Sequence, residues 1–438
     1  MNLLKTIALF CLAGAAFCLT PVLPVKSSVV SAVQSLAPNT GMYLPAFTCT
    51  DVYNGSGLAI YETFAAKGPG VRNYCTKWVW APDRKRALYA GANHGAPHKF
   101  NDVWEYDLAS NTWVMLYKGD GSVPCHTWWN FAYDTKRDTL WWPSAGGCGN
   151  WVDWHRFDPE ARDGWSVASF ANSAPTICAG GMFHYIPDRD IFVYMCADWM
   201  GPGMWEYNPN TRRFTLIAGD SVYFDPDCCP KTEAVFNYDT HLRILVGFRG
   251  GNVFHYNFDT HEWKLAATGP FNAYDAFTAC AFDTAAGLHL ILDNGTLYGY
   301  DAATKTVRTL TPQGQQPWTG DYMGYYDEQY QVFVVYHGNL GNPTPWVYRA
   351  PATSSAIARR AAVRAGEIGL FPSPVARGGS VRVDCRGMEN VGVYAPDGRR
   401  IAVIAPGAAW KADVPAGVYL VRGMMGTQTR SRRLVVMN

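Results

Sequence analysis

Histidine, aspartate, arginine, tyrosine and tryptophan recur in the polar stretches between the apolar runs of this chain of 438 residues. The residues that we expect to form a ligand-binding site are His94, His98, His126, Trp151, Asp198, Trp199, Arg249, Tyr274, Asp275, Asp321 and His337. Aromatic rings cover the apolar face of a sugar, while carboxylate and guanidinium groups bond its hydroxyls. The residue types therefore favour an extracellular carbohydrate ligand, with a protein ligand as the alternative.

Four residues also have the types that a polysaccharide lyase needs. Proton removal beside a uronate carboxyl needs a base such as His94 or His126, and an acid such as Tyr274. A cation such as Arg249 would stabilise the enolate. A single sequence does not show whether these side chains converge, so it leaves enzymatic activity open.

A repeated motif indicates which elements position these stretches. An Asp after an aromatic or apolar residue opens a short polar turn before an apolar run. The turn aspartates, which are 51, 54, 51, 44 and 44 positions apart, are Asp83, Asp134, Asp188, Asp239, Asp283 and Asp327. An aromatic pair ending in Tyr-Asp or its equivalent alternates with them, as at residues 104–107. Such periods, each with four short strands, predict an all-β fold with a six-bladed β-propeller of four-stranded blades.

The repeat resembles the kelch family over residues 74–350. Gly91, residues 101–107 and Trp113 match the kelch order of glycine, spacer, aromatic-Tyr-Asp and Trp, although paired glycines are mostly lacking. The resemblance implies a fold rather than an activity. Galactose oxidase also uses this fold, but its two His, two Tyr and Cys–Tyr crosslink are not identified here. A copper oxidase therefore ranks last, and we predict no metal site and no cofactor.

The candidate residues lie in loops that a propeller gathers at one end of its ring. Loops joining second to third strands share that end with the loops between blades, and loops on a rigid scaffold commonly carry function. We therefore expect a pocket there. The sixth unit lacks its last strand, and the strand-like residues 57–64 are expected to supply it.

The N-terminus is typical of a secretory signal peptide. Lys5 precedes an apolar run that ends near Leu19, which is short for a membrane span. No later segment is expected to span a membrane, and a net charge of +1 gives no global field for nucleic acid. We expect a secreted protein, with attachment to the outer cell surface as an open alternative.

Ten of the 12 cysteines lie after this leader. In an oxidising compartment such usage predicts disulfides, which would brace the loops. The expected pairs are Cys125–Cys148, Cys178–Cys196 and Cys49–Cys75, whereas the pairing of Cys228, Cys229, Cys280 and Cys385 is left open.

A second β domain follows the propeller. Period-2 apolar alternation and the turn at Asp397-Gly398 predict a small β-sandwich. Residues 370–374, 397–399, 416–419 and 434–436 resemble, in order, motifs of the immunoglobulin-like C-terminal sorting domain of type IX secretion cargo, with Ser373 where that family has Asn. The resemblance implies secretion machinery as a partner. The predicted domains are a signal peptide at 1–26, an N-terminal extension at 27–56, the propeller at 57–353, a linker at 354–367 and the sorting-type domain at 368–438.

Overall fold

The computed structural model describes residues 22–61, 67–92, 99–144, 151–196, 203–218, 230, 233–337, 344–353, 368–371, 375–385, 388–405, 408–425 and 428–437. Within these ranges the chain is nearly all β, with one α-helix at Ser27–Gln34 and many small sheets. The predicted all-β class is therefore confirmed. The chain divides into two compact units, Met1–Ala352 and Thr353–Asn438. No helix in the described ranges has the length and apolar character needed to cross a membrane.

The first unit contains six described sheets, called sheets I to VI here. In spatial order, sheet I consists of Thr48–Asp51, Thr112–Tyr117, Val103–Asp107, Arg86–Ala90 and Val79–Ala81. Sheet II consists of Trp165–Val167, Asp153–Phe157, Thr139–Ser144 and Ala132–Asp134. Sheet III consists of Arg213–Ala218, Gly203–Asn208, Ile191–Cys196, Met182–Ile186 and Trp129–Asn130.

Sheets IV to VI are the remaining described sheets of the first unit. Sheet IV consists of Val235–Asp239, Ile244–Asn257 and Glu262–Ala273. Sheet V consists of Ala279–Asp283, Leu288–Asp293, Thr296–Asp301 and Thr306–Leu310. Sheet VI consists of Gln313–Gly314, Thr40–Tyr43, Trp346–Arg349, Val332–His337 and Tyr322–Asp327.

Four of the six turn aspartates, Asp134, Asp239, Asp283 and Asp327, accept backbone N–H groups of their own turns through their carboxylates. Asp134 Oδ1 accepts the backbone N–H of Lys136 at 3.0 Å and of Arg137 at 3.1 Å. Asp239 Oδ1 accepts the N–H groups of His241 and Leu242, both at 2.8 Å. Asp and Asn favour such local bonds, which is why the motif repeats at hairpins.

The sheets pack face to face around a common centre. Separate buried clusters fill the spaces between neighbours, for example Leu88 and Val114 of sheet I against Leu140 and Trp142 of sheet II. The first strands of sheets VI and I are in contact, as are those of sheets I and II. A central cavity of about 350 Å³ is lined by residues from the first hairpins of all six sheets. This arrangement is β-propeller-like.

The predicted closing strand is wrong. Residues 57–61 form no strand, and Thr40–Tyr43 instead pairs antiparallel with Trp346–Arg349. The helix Ser27–Gln34 buries Val29 and Val33 in the core shared by sheets VI and I. The folded body of the first unit therefore begins well before residue 57, inside the predicted N-terminal extension.

Sheet IV departs from the expected four strands. Ile244–Asn257 is one strand of 14 residues that pairs first with Val235–Asp239 and then with Glu262–Ala273. Gly250 has φ of +54°, a value that glycine adopts without the cost of a Cβ. The chain can therefore change direction at Arg249-Gly250-Gly251 without leaving the sheet.

The second unit has two sheets around one core. One consists of Gly369–Phe371, Ser380–Asp384 and Ala409–Lys411. The other consists of Val375–Ala376, Gln428–Met437, Gly417–Met425, Glu389–Tyr394 and Arg400–Val403. Val381 and Val383 of the first sheet share a buried cluster with Val393 and Val421 of the second. The predicted linker at 354–367 lies outside the described residues.

Candidate functional site

Three of the four candidate catalytic residues lie in one cluster where the first strands begin. We call it the Tyr74 cluster and define it as Tyr74, His126, Glu233, Arg249 and Tyr274. Tyr74 and Tyr274 each lie five positions before a first strand, and Glu233 lies two before one. Arg249 is at the bend of sheet IV. The cluster therefore combines residues from four separate parts of the ring.

Tyr74 is at the middle of the cluster. Its ring centroid is 5.0 Å from that of His126 and 5.9 Å from that of Tyr274. Its backbone N–H donates to the Ala276 carbonyl at 3.2 Å, and its own carbonyl accepts the Trp128 N–H at 2.6 Å. These bonds join the chain segments that enter different sheets, so the rings are held by the backbone as well as by packing.

Arg249 and Glu233 give the cluster its charges. The Arg249 Cζ atom lies 4.6 Å from the Tyr274 ring centroid, and Arg249 Nη2 lies 3.5 Å from Glu233 Oε2. Both side chains are about one-third exposed, at 34% and 30%. Burial, followed by hydrogen bonds to Glu233 and Tyr74, raises the pKa of Tyr274 well above its ordinary value. Tyr274 is therefore protonated at neutral pH.

His126 is buried and its orientation is defined. Its Nδ1 lies 2.7 Å from the carbonyl oxygen of Ala92, so Nδ1 carries a proton and donates it. In the neutral ring this leaves the lone pair on Nε2. His126 thus has the tautomer that a base acting through Nε2 requires.

Asp275 is a buried acid directly beneath this cluster. It is 0% exposed, and neither carboxylate oxygen has a hydrogen-bond partner among the described residues. Its backbone is fixed, because its N–H donates to Glu233 O and its carbonyl accepts Thr76 Oγ1, both at 3.1 Å. Burial and then the charge of Glu233 raise its pKa well above the ordinary range, although Arg249 opposes this. Burial therefore favours the neutral form of Asp275.

A buried ion pair supports the chain on either side of the cluster. Arg72 Nη2 lies 2.6 Å from Asp102 Oδ2, with both side chains 0% exposed, and Arg72 Nη1 donates to the carbonyl of Gly91. Asp102 also accepts hydrogen bonds from Tyr61 Oη at 3.0 Å and Trp104 Nε1 at 2.6 Å. The pair thereby joins the residues before Tyr74 to the segment that holds His126.

Sequence reasoning missed Tyr74, Glu233 and the Arg72–Asp102 pair. Tyr74 could have been found, because it occupies the same position relative to its first strand as Tyr274. Glu233 and Arg72 carry no comparable repeated signal, since each depends on partners that are distant in the sequence.

The remaining predicted site residues either lie elsewhere in the fold or have side chains outside the described residues. Trp151 is 9% exposed, and its ring centroid lies 3.6 Å from that of His155 in a stacked arrangement. It belongs to the core between sheets I and II, so packing explains its presence without a ligand. Asp321 is exposed at the start of sheet VI. His337 ends a strand, but its side chain lies outside the described residues, as do His94, His98, Asp198 and Trp199.

Two of the three predicted cysteine pairs are not disulfides. Cys49 and Cys75 are both thiols, because Cys49 is on the outermost strand of sheet I whereas Cys75 precedes its innermost strand. A disulfide needs Cα atoms within about 7 Å, which this separation across the sheet excludes. Cys178 and Cys196 are also thiols, and both lie near Tyr194, whose pKa their proximity helps to raise. Cys125 is disulfide-bonded, but its predicted partner Cys148 lies outside the described residues.

Within the described residues no group of three or more His, Cys, Asp or Glu side chains could hold a metal ion. No protein-family model matches this chain, and no curated protein matches it.

Solved structures with similar folds are β-propeller-like proteins of low sequence identity. An auxiliary nutrient binding protein from Bacteroides thetaiotaomicron is 9% identical with a TM-score of 0.42, over 64% of this chain and 69% of that one. TolB from Acinetobacter baumannii is 12% identical with a TM-score of 0.37, over 56% and 55%. An oligogalacturonate lyase in complex with manganese is 13% identical with a TM-score of 0.39, over 64% and 77%. Sequence identities and TM-scores this low do not allow the activity of any of these proteins to be transferred to this chain.

Proposed function

We propose that this chain is a secreted, kelch-like, six-bladed β-propeller that binds an extracellular carbohydrate at the Tyr74 cluster. The observation that carries the proposal is the meeting of Tyr74, Tyr274 and Arg249 from separate loops at one end of the first strands. The closing strand Thr40–Tyr43 supports a ring of six blades.

The chemistry of the cluster suits a sugar ring. Tyrosine rings cover C–H surfaces, and their hydroxyls exchange hydrogen bonds with sugar hydroxyls. The partly exposed Arg249 can pair with a uronate carboxylate, since guanidinium binds carboxylates in a bidentate manner. An acidic glycan is therefore the preferred ligand within the carbohydrate class.

The remaining domain assignments are part of the same proposal. Residues 1–26 are a signal peptide, and residues 27–353 carry the propeller with its N-terminal helix and closing strand. Residues 368–438 form an immunoglobulin-like sandwich, supported by the shared core of their two sheets, that secretion machinery recognises. Attachment to the outer cell surface would follow sorting.

Binding to a panel of acidic and neutral polysaccharides tests the carbohydrate assignment. We expect polygalacturonate or another uronate polymer to bind, and Arg249→Met to weaken binding by about tenfold or more. The matched control is Arg243→Met, because Arg243 is also partly exposed in sheet IV but lies at the opposite end of its first strand, where it pairs with Asp188. Equal binding by both variants, or no binding to any glycan, would refute the assignment.

A uronate lyase is a second candidate, favoured by the placement of His126 and Tyr274 on either side of Tyr74. In such a reaction His126 Nε2 would take the proton from C5 while Arg249 stabilises the enolate. The C4–O bond would then break, a C4=C5 double bond would form, and Tyr274 would protonate the leaving oxygen.

Absorbance of the unsaturated product separates the two candidates. A lyase would show rising absorbance with wild-type protein, and Tyr274→Phe and His126→Gln would each lower kcat by about a hundredfold or more. Binding without any absorbance change would leave carbohydrate recognition as the function and exclude the lyase.

A further inference from the structure

The central cavity is separate from the Tyr74 cluster and shares no residue with it. It has a volume of about 350 Å³. Ten of its 23 lining residues are Trp, Tyr or Phe, and they include Trp78, Trp80, Trp129, Phe236, Phe282 and Tyr326. A cavity of this size and lining is suited to a small ligand with an apolar body.

Lys77 places its amine among these aromatic walls. The residue is 6% exposed, and its Nζ donates to the Phe183 carbonyl at 3.2 Å. Nζ also lies 3.3 Å from His184 Nδ1 and 5.5 Å from the centroid of the Trp129 ring. No described carboxylate forms an ion pair with it, and burial alone lowers its pKa. Buried lysines are ordinarily paired, so this one lacks the anion that its charged form needs.

The other polar groups of the cavity do not supply that anion. Tyr185 donates its hydroxyl to Asp190 at 2.9 Å, and Tyr325 donates to Asp327 at 3.2 Å. Asn237 Nδ2 is engaged with Cys280 Sγ at 2.9 Å. Glu328 is the carboxylate in the lining, and burial raises its pKa, which favours its neutral form. Burial and then the charge of Lys77 lower the pKa of His184.

We propose that the central cavity is a second binding site, for a small aromatic carboxylate whose anionic group pairs with Lys77. The ligand's ring packs among the aromatic walls, and its carboxylate accepts a hydrogen bond from Nζ. Lys77 takes up a proton when the anion binds, because the added negative charge favours the ammonium form. His184 acts as a positioning residue that accepts a hydrogen bond from Nζ.

Calorimetric titration of the full chain tests this site. The ligands are benzoate and indole-3-acetate, and the affinity of each is compared with that of its neutral amide. We expect each carboxylate to bind with a Kd of about 1 mM or tighter and each amide about tenfold or more weakly. Titration in buffers with different ionisation heats should reveal proton uptake. This comparison needs no variant, and failure of both carboxylates to bind, equal binding of the amides, or no proton uptake would overturn the proposal.

Variants then locate the site. Lys77→Met is expected to weaken carboxylate binding by about tenfold or more, whereas Lys85→Met, at an exposed lysine of the same sheet, should leave it unchanged. Arg249→Met should also leave it unchanged, which separates the cavity from the Tyr74 cluster. Carboxylate binding that is lost in Arg249→Met and retained in Lys77→Met would overturn the proposal.

Discussion

Asp275 shows at the scale of one residue how burial of a titratable group makes stability depend on pH. Its folded-state pKa lies well above that of the unfolded chain. The unfolded state therefore loses its proton first as the pH rises. Below the pKa of this carboxyl in the unfolded chain, near 4, its burial costs no stability through ionisation. As the pH rises from there toward the pKa in the folded protein, the free energy of unfolding falls.

We predict that Asp275→Asn stabilises the protein at pH 8 and has little effect near pH 4. The amide keeps the shape of the neutral acid and does not ionise. The free energy of unfolding of the variant therefore does not fall as the pH rises, as it does in the wild type. Urea unfolding at the two pH values measures this. A destabilised variant at pH 8 would show that Asp275 is ionised and paired in the folded protein.

For the Arg72–Asp102 pair we predict that the corresponding substitution destabilises the protein. Asp102→Asn leaves a buried guanidinium without its counter-charge, and we expect a loss of about 3–5 kcal/mol in the free energy of unfolding. The exposed Glu262–Lys264 pair is the control, and Glu262→Gln should produce no measurable change. Equal denaturant midpoints for the two variants would contradict the structural role of the buried pair.

At the scale of elements, the closing strand depends on Gly41. A Cβ at this position would lie 2.5 Å from the Trp346 ring and 2.6 Å from the Gln315 carbonyl oxygen. We predict that Gly41→Val costs about 1–3 kcal/mol and lowers Tm, because overpacking would displace the strand. Met42→Leu is a volume-conserving control in the same strand and should change Tm little. A Val variant as stable as wild type would show that the strand does not close the ring.

The individual sheets were easier to predict from the sequence than the strand that closes the ring. Each first hairpin carries a turn aspartate, and four of the six accept backbone N–H groups of their own turns, a purely local interaction. The closing strand Thr40–Tyr43 was missed because Thr-Gly-Met-Tyr has little strand character and is stabilised by Trp346–Arg349, far along the chain. Residues 57–64 have the better local pattern, but residues 57–61 form no strand.

The site was predictable to a similar degree. His126, Arg249 and Tyr274 were identified from their loops, since a ring gathers such loops at one end. Glu233 was missed because its role depends on Arg249 and Tyr274, which no local pattern reveals. The Cys49–Cys75 pair was wrong because position along the chain did not show that the two residues lie at opposite edges of sheet I.

At the scale of the whole molecule, the two units have separate cores. Among the described residues, the buried cluster of the second unit contains only residues between 368 and 436. We therefore predict that a chain ending at Thr353 keeps the Tm of the first unit and its glycan binding, as measured by calorimetry and the polysaccharide panel. Loss of cooperative unfolding in the shortened chain would show that the first unit needs the second to fold.

Ring closure joins the two ends of the first unit, since Tyr348 Oη donates to Asn39 Oδ1 at 2.7 Å across 309 positions. The strand that is synthesised early must wait for a partner that emerges near the end, and pairing over such separations is slow. During this interval the edge of Thr40–Tyr43 that later pairs with Trp346–Arg349 stays uncovered. We therefore expect the ring to remain open, with its last blade incomplete, until nearly all of the first unit has been synthesised.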